Sequence, residues 1–335
     1  MGDPRAVALD AFGGDRAPDA IIEGAALAVR QGIPVVLVGD AARLRGRIPR
    51  GMEVVHAPDV VGMDEPAHTP LRRKPQASIR RIFELVRDGT CIAGVTCGHS
   101  GAAMASALHV FGAVDGVERP PLCTMVPRRD GGQLVLLDLG ANVDCKPHHL
   151  AQFAVLGDAY ARAVLGLERP RVGLLANGEE PGKGNTQVRA AWPEVEALDL
   201  NFVGNVEPLG ALRGECDVLV CDGFVGNVML KTVEGTVEVV GRVLREEIRR
   251  HPGAQFGAWL LQSAIRRFRQ RTTYDAVGGA LLLGLDGVAV VGHGRADSRA
   301  VASAVRYARS CVDVGLVGAV RSHARARLPT RSETR

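Results

Sequence analysis

The chain has 335 residues, 46% of them hydrophobic, and a formal net charge of +4. That length suits one large α/β unit or two domains, and the mild basicity is far from that of a nucleic-acid-binding arm while still suiting an acidic partner. Seven cysteines without a C-x-x-C pair fit thiols in a reducing compartment better than a disulfide framework or a zinc site.

In chain order, β-rich runs fall at 7–10, 35–38, 91–95, 134–138, 172–176, 218–221 and 288–291. Each ends in glycine or a small polar residue. Between them, Ile22, Ala25, Ala26 and Val29 keep helical spacing, and 151–165 and 228–247 also read as helices. Alternating strand and helix predicts a doubly wound, mostly parallel sheet covered on both faces. Residues 1–322 read as one large α/β catalytic domain, and 323–335 as a basic, disordered tail. The opening MGDPRAVALD reaches an acidic residue too soon for a signal peptide. No apolar run reaches the roughly 18 residues of a membrane span, so the expectation is a cytoplasmic protein.

Ligands of open α/β sheets bind beyond the carboxyl ends of strands. The segments there are DAFGGD (10–15), TCGHSG (96–101), DLGANVDCKP (138–147), NGEEPGKGN (177–185), DGFVGN (222–227) and GHG (292–294). Each sets glycine beside a polar or charged group, a composition that builds anion nests. The dinucleotide, P-loop and nucleophile-elbow fingerprints are all missing. His148 and His149 read as surface or cap residues, because adjacent side chains point apart on a helix or strand. Of 41 basic residues only Lys74, Lys146, Lys183 and Lys231 are lysine. An ammonium between Gly182 and Gly184 offers phosphate both a point charge and bare backbone.

Taken together, VALDAFGGDRAPDAIIEGA, LLDLGANVDCKPHHLAQFAVLGDAYA, RVGLLANGEEPGKGN, NFVGNVEP, CDVLVCDGFVGNVMLKTVEG and GGALLLGLDGVAVVGHG resemble, in the same order, the bacterial acyl-acyl carrier protein:phosphate acyltransferases (PlsX type). The resemblance implies a homodimer with a three-layer α/β/α fold related to isocitrate and isopropylmalate dehydrogenases. It implies transfer of a fatty acyl group from acyl carrier protein to inorganic phosphate, giving acyl phosphate for phospholipid synthesis. No metal and no cofactor are expected. Lys183 and Asn227 are the expected catalytic residues. The Asn227 amide is expected to donate to the oxyanion or fix phosphate; the plainer role is a helix cap before VMLKTVEG, and the two are compatible. The expected substrate-binding set is Asp10, Gly13, Gly14, His99, Ser100, Asn142, Lys146, Gly184, Asn185, Asp222, Gly223 and His293. Within it, Asp10 and Asp222 close strands and suit loop anchoring better than phosphate contact.

The chain departs from the family at Thr96-Cys97-Gly98-His99-Ser100-Gly101, where Ser-Ala-Gly-Asn-Thr-Gly is usual. It also has Ala176-Asn177-Gly178 before the Glu pair, and Arg295-Ala296 after Gly294. The alternatives are an acyl-CoA-dependent phosphate acyltransferase, which resembles this chain in fold and reaction but not in the ordered motifs, and a specialised or non-catalytic paralogue that binds carrier protein or membrane, for which the altered 96–101 loop argues. A helical projection is expected at about 241–275. There Phe256, Trp259, Leu260 and Leu261 precede Arg266, Arg267, Arg269 and Arg271, a pattern suited to peripheral membrane contact or carrier docking.

Overall fold

The structure is a computed structural model that describes residues 5–263 and 278–328. Its centre is an 11-stranded sheet. The strands are β1 (Val7–Asp10), β2 (Val35–Gly39), β3 (Glu53–His56), β4 (Ala93–Thr96), β5 (Leu122–Pro127), β6 (Gln133–Leu137), β7 (Arg171–Leu175), β8 (Asn201–Val206), β9 (Val218–Val220), β10 (Gly279–Leu282) and β11 (Ala289–Gly292). Their spatial order is β3-β2-β1-β4-β11-β10-β5-β6-β9-β7-β8.

Alternation along the strands divides two cores. Val7, Leu9, Val35 and Leu37 face one side, where α1 (Asp19–Arg30), α6 (Pro147–Leu165), α7 (Thr186–Glu196) and two C-terminal helices, Ser298–Asp313 and Leu316–Arg327, bury their apolar stripes. Ala8, Val36 and Val38 face the other, against α4 (Ser78–Arg87), α5 (Ser100–Phe111), α8 (Pro208–Arg213) and the first turns of α9 (Gly223–Arg250). Short α2 (Ala41–Leu44) and α3 (Thr69–Arg72) complete the first half. α10 (Pro252–Leu260) follows α9, and the two C-terminal helices become α11 and α12. Helices thus cover both faces, as the strand–helix alternation predicts.

The sheet is not parallel throughout. β3, β2, β1, β4 and β11 run one way. β10 is antiparallel to both β11 and β5, and β5 is antiparallel to β6. β6, β9, β7 and β8 are again mutually parallel. Three reversals between β11 and β6 leave the two halves pointing in opposite directions. The glycine loops therefore do not line one edge. Those after β1, β4 and β11 leave at one edge, and those after β6, β7 and β9 at the other.

Two expectations change at the C-terminal side. The tail does not begin at 323, because α12 continues through Arg327 with Val320 and Ala324 buried against the core. It is held to α6 by His323, whose Nε2 is 2.7 Å from Oδ2 of the buried Asp158. Helix α9 starts at Gly223, earlier than expected, and beyond Leu230 none of its residues is buried. Val239, Val240, Val243 and Leu244 are exposed, as are Phe256, Trp259, Leu260 and Leu261, with the Phe256 and Trp259 rings stacked at 5.9 Å. Arg266, Arg267, Arg269 and Arg271 lie outside the described residues. All seven cysteines are free, and six of them are buried.

Ala324→Asp tests the C-terminal helix. Burying a carboxylate there should cost more than about 2 kcal/mol and lower Tm by several degrees in thermal unfolding. An unchanged Tm would return 323–328 to a disordered tail.

Candidate functional site

The first loop set is built on Asp10. Its carboxylate is buried; Oδ1 accepts from Phe12 N at 3.1 Å and Oδ2 from Thr96 Oγ1 at 2.8 Å. Burial pushes its pKa up, against the pull of these hydrogen bonds. A side chain at Gly13 would come within 2.7 Å of Gly98 N, and one at Gly14 within 3.0 Å of Gly294 O. Asp15 N donates to the same Gly294 carbonyl at 2.8 Å. Three loops thus meet backbone to backbone, a closeness that requires glycine. His99 caps α5, its Nδ1 accepting from Ala102 N at 3.1 Å, and Ser100 is the exposed first residue of that helix. Histidine in place of the family asparagine therefore supplies the helix cap. In a neutral ring this leaves the hydrogen on Nε2.

The second set is built on Asp138. Its Oδ1 accepts from Leu122, Gly140 and Ala141 N, and its Oδ2 from Asn142 N and Nδ2. The other Nδ2 hydrogen of Asn142 goes to Pro120 O at 3.1 Å. Asn142 spends both amide hydrogens on the loop, so it is a strut where substrate contact was expected. Its carbonyl accepts from Gly223 N at 2.8 Å, where a side chain would clash at 2.7 Å. Asp222 caps α9 through Val225 N at 2.9 Å. Asn227 is therefore not the helix cap. It lies in the second turn, exposed, with its side chain over Gly140 and no hydrogen bond to the described protein.

The loop after β7 leaves the same edge, since β7 pairs with β9. Asn177 Oδ1 accepts from Gly184 N at 2.9 Å, with Gly184 at φ 91°. Asn185 caps α7 through Val188 N at 2.9 Å. The stem of Lys183 packs over Gly178, and its exposed ammonium has no partner among the described residues. Lys146 is exposed at the start of α6. No hydrogen bond among the described residues joins Lys183 or Lys146 to Asn227.

One contact does join the two loop sets. Lys231, one turn beyond Asn227 on α9, places Nζ 3.0 Å from His293 Nε2 in the loop after β11. Its role was not assigned from the sequence, although lysine scarcity had marked it.

His148 and His149 differ from expectation. Their rings lie 4.3 Å apart and both Nε2 atoms are 3.2 Å from Glu118 Oε2. In the first turn of a helix the two side chains converge instead of pointing apart. The trio has the spacing of a metal site. However, His149 Nδ1 accepts from Lys146 N at 3.0 Å, so Nε2 carries the hydrogen and donates to Glu118. Burial also lowers the His149 pKa, against the pull of Glu118. A protonated Nε2 is no ligand, and the cap role expected for His149 stands.

A family model described as "Fatty acid synthesis protein" matches residues 6–318. The chain belongs to this fatty acid synthesis family. It is 45% identical over 333 residues to a phosphate acyltransferase of Anaeromyxobacter sp. (strain Fw109-5), covering 97% of this chain and 92% of the relative. It is 47% identical to a phosphate acyltransferase of Nitratidesulfovibrio vulgaris (strain DP4), covering 92% and 91%. The protein is thus an acyltransferase of lipid biosynthesis. In fold it is similar to a phosphotransacetylase from Streptococcus pyogenes, with TM-score 0.60, 15% identity and 92% and 94% of the two chains covered. EutD phosphotransacetylase from Staphylococcus aureus gives TM-score 0.58 at 17% identity over 92% and 95%.

Two tests follow from the geometry of the family site. At Gly226 a Cβ would lie 1.9 Å from Asp138 O, whereas at Gly182 it would meet open space. Gly226→Ala should cost about 2–3 kcal/mol in denaturant unfolding and Gly182→Ala almost nothing; equal stabilities would contradict the packing of α9 on this loop. Acyl transfer should also survive exhaustive EDTA treatment. Reversible loss of turnover, restored by a divalent cation, would reveal a metal-ligand set, with the Glu118 trio the first to test by substitution.

Proposed function

We propose that the protein transfers a fatty acyl group from the phosphopantetheine thiol of acyl carrier protein to inorganic phosphate, releasing acyl phosphate for phospholipid synthesis. The observation that carries this reading is a contrast in how polar groups are spent. Asp10, Asn142, Asn185 and Asp222 are consumed in holding loops. Lys183 and Asn227 are exposed and keep their donors for a ligand. Lys183 attracts and orients the phosphate. A phosphate oxygen attacks the thioester carbonyl, the carbon–sulfur bond breaks and the thiolate leaves. Asn227 Nδ2 donates to the tetrahedral oxyanion between those events. Phosphate is already nucleophilic near neutral pH, so positioning and oxyanion stabilisation carry most of the rate.

A fold relationship to isocitrate and isopropylmalate dehydrogenases is part of this reading, and what speaks for it is a large sheet covered by helices on both faces. The exposed valines of α9 favour a homodimer, because a helix with so much uncovered apolar surface gains by pairing. No helix among the described residues is long and apolar enough to cross a membrane. Contact with the inner membrane face would be peripheral, through Phe256, Trp259 and Leu260 on the projection.

Lys183→Ala and Asn227→Ala should leave the fold intact and each lower kcat by about 10²–10³. Lys183→Arg should also be poor, because its fork is bulkier and places charge differently. Near-wild-type turnover in both alanine variants would end the site assignment. For the projection, Trp259→Glu with Leu260→Glu should reduce co-sedimentation with anionic liposomes or raise KM for acyl carrier protein. A folded double variant unchanged in both measurements would remove the docking role, and loss of dimerisation would assign these side chains to the subunit interface.

A further inference from the structure

Helix α9 carries a second cation toward the site. Lys231 lies four residues beyond Asn227 on the same side, about 6 Å further along the axis. Its Nζ is 3.0 Å from His293 Nε2 and 3.4 Å from Glu234 Oε2. An ammonium has three hydrogens and no lone pair, so it donates to both and keeps one hydrogen unspent. A neutral imidazole cannot accept at both nitrogens, and Arg295 N also approaches His293 Nδ1, at 3.3 Å. The shorter contact, to a cation, prevails and leaves the ring hydrogen on Nδ1.

Position gives this lysine its interest. The strand reversals put the two loop sets at opposite edges of the sheet, and Lys231 bridges them from α9 to the β11 loop. Beside His293, Gly294 packs on Gly14 and accepts from Asp15 N, so the floor here is backbone. The side chain is 53% exposed and reachable by a ligand. In a chain where arginine outnumbers lysine 37 to four, a compact ammonium here suits a phosphoryl group that changes geometry during reaction.

We propose that Lys231, held by His293 and Glu234, binds a phosphoryl group of the reactants. This rests on the acyl-transfer reading, in which two such groups arrive: inorganic phosphate and the phosphodiester of the pantetheine arm. Both present anionic non-bridging phosphoryl oxygens to the ammonium, two on the singly charged diester and more on inorganic phosphate.

The test uses Lys231→Met, Lys231→Arg and His293→Gln in the full chain, with circular dichroism verifying the fold. KM is measured for inorganic phosphate, and for acyl-phosphopantetheine and acyl-pantetheine donors. Lys231→Met should raise one KM about 10- to 100-fold. Lys231→Arg should recover part of the loss, and His293→Gln should shift the same KM less. If inorganic phosphate is the ligand, its KM rises with either donor. If the arm is the ligand, the wild-type preference for the phosphorylated donor disappears. Calorimetric titration with inorganic phosphate and with phosphopantetheine reads the site without turnover, so it still decides Lys231 if the wild type forms no acyl phosphate. Lys231→Met leaving every KM and both Kd values unchanged, or wild type binding neither ligand, overturns the proposal.

Discussion

A buried carboxylate fixes the geometry on which the site depends. Asp138 takes the backbone hydrogens of Leu122, Gly140, Ala141 and Asn142, and the amide of Asn142 as well. Burial raises its pKa, and the hydrogen bonds from Leu122, Ala141 and Asn142 pull the other way. Leaving these donors unpaired in the interior would cost on the order of 1–3 kcal/mol each. The loop after β6 therefore has little conformational choice. Its Asn142 carbonyl receives Gly223, its Asp138 carbonyl lies against Gly226, and α9 starts where those two contacts allow. Asn227 comes to lie over Gly140 as a consequence, not through any bond of its own.

The same economy runs through both loop sets. Polar side chains at strand ends bind backbone, and the glycines between them let three loops touch. Among the described residues, the groups this leaves for a ligand include the Asn227 amide, the Lys183 ammonium and one hydrogen of Lys231. A transferase of this kind needs little more, since its reactants bring their own nucleophile and leaving group. Its work is to hold two charged partners together while excluding wrong geometries. Across the opposed halves of the sheet, Lys231 of α9 reaches His293 in the loop after β11, and the helix's length beyond the core leaves an apolar surface for other encounters.

Sequence reading reached the parts of this arrangement that are local. Strand-terminal glycines beside Asp10 and Asp222 announce tight loops, and both carboxylates hold backbone there, whereas the helix caps fall on Asp222 and Asn185 and not on Asn227, the cap weighed from the sequence. Strands β3, β5, β8 and β10 escaped it. β3 is only partly buried, β5 ends in proline, β8 is interrupted by Gly204 at φ 87°, and β10 opens on glycine. The missed β5 and β10 are the strands that reverse the sheet, which is why the loops were expected along one edge. Strand direction depends on pairings between distant segments, such as Leu281 with Cys123, that no local pattern encodes. Lys231 is similar: its partner His293 is 62 residues away. Ala324 in α12 and Leu328 just past its end were hidden by the surrounding arginines, although both are buried.

The central claim is that a carrier-bound acyl thioester is transferred to phosphate. The most direct measurement incubates the protein with palmitoyl-acyl carrier protein and radiolabelled inorganic phosphate, then traps the product with hydroxylamine and separates it from free fatty acid. The account predicts label in acyl phosphate, a matching yield of acyl hydroxamate, and thioester loss that requires phosphate. Thioester consumed to free fatty acid without phosphate, or labelled product formed from palmitoyl-CoA but not from the carrier thioester, would contradict it.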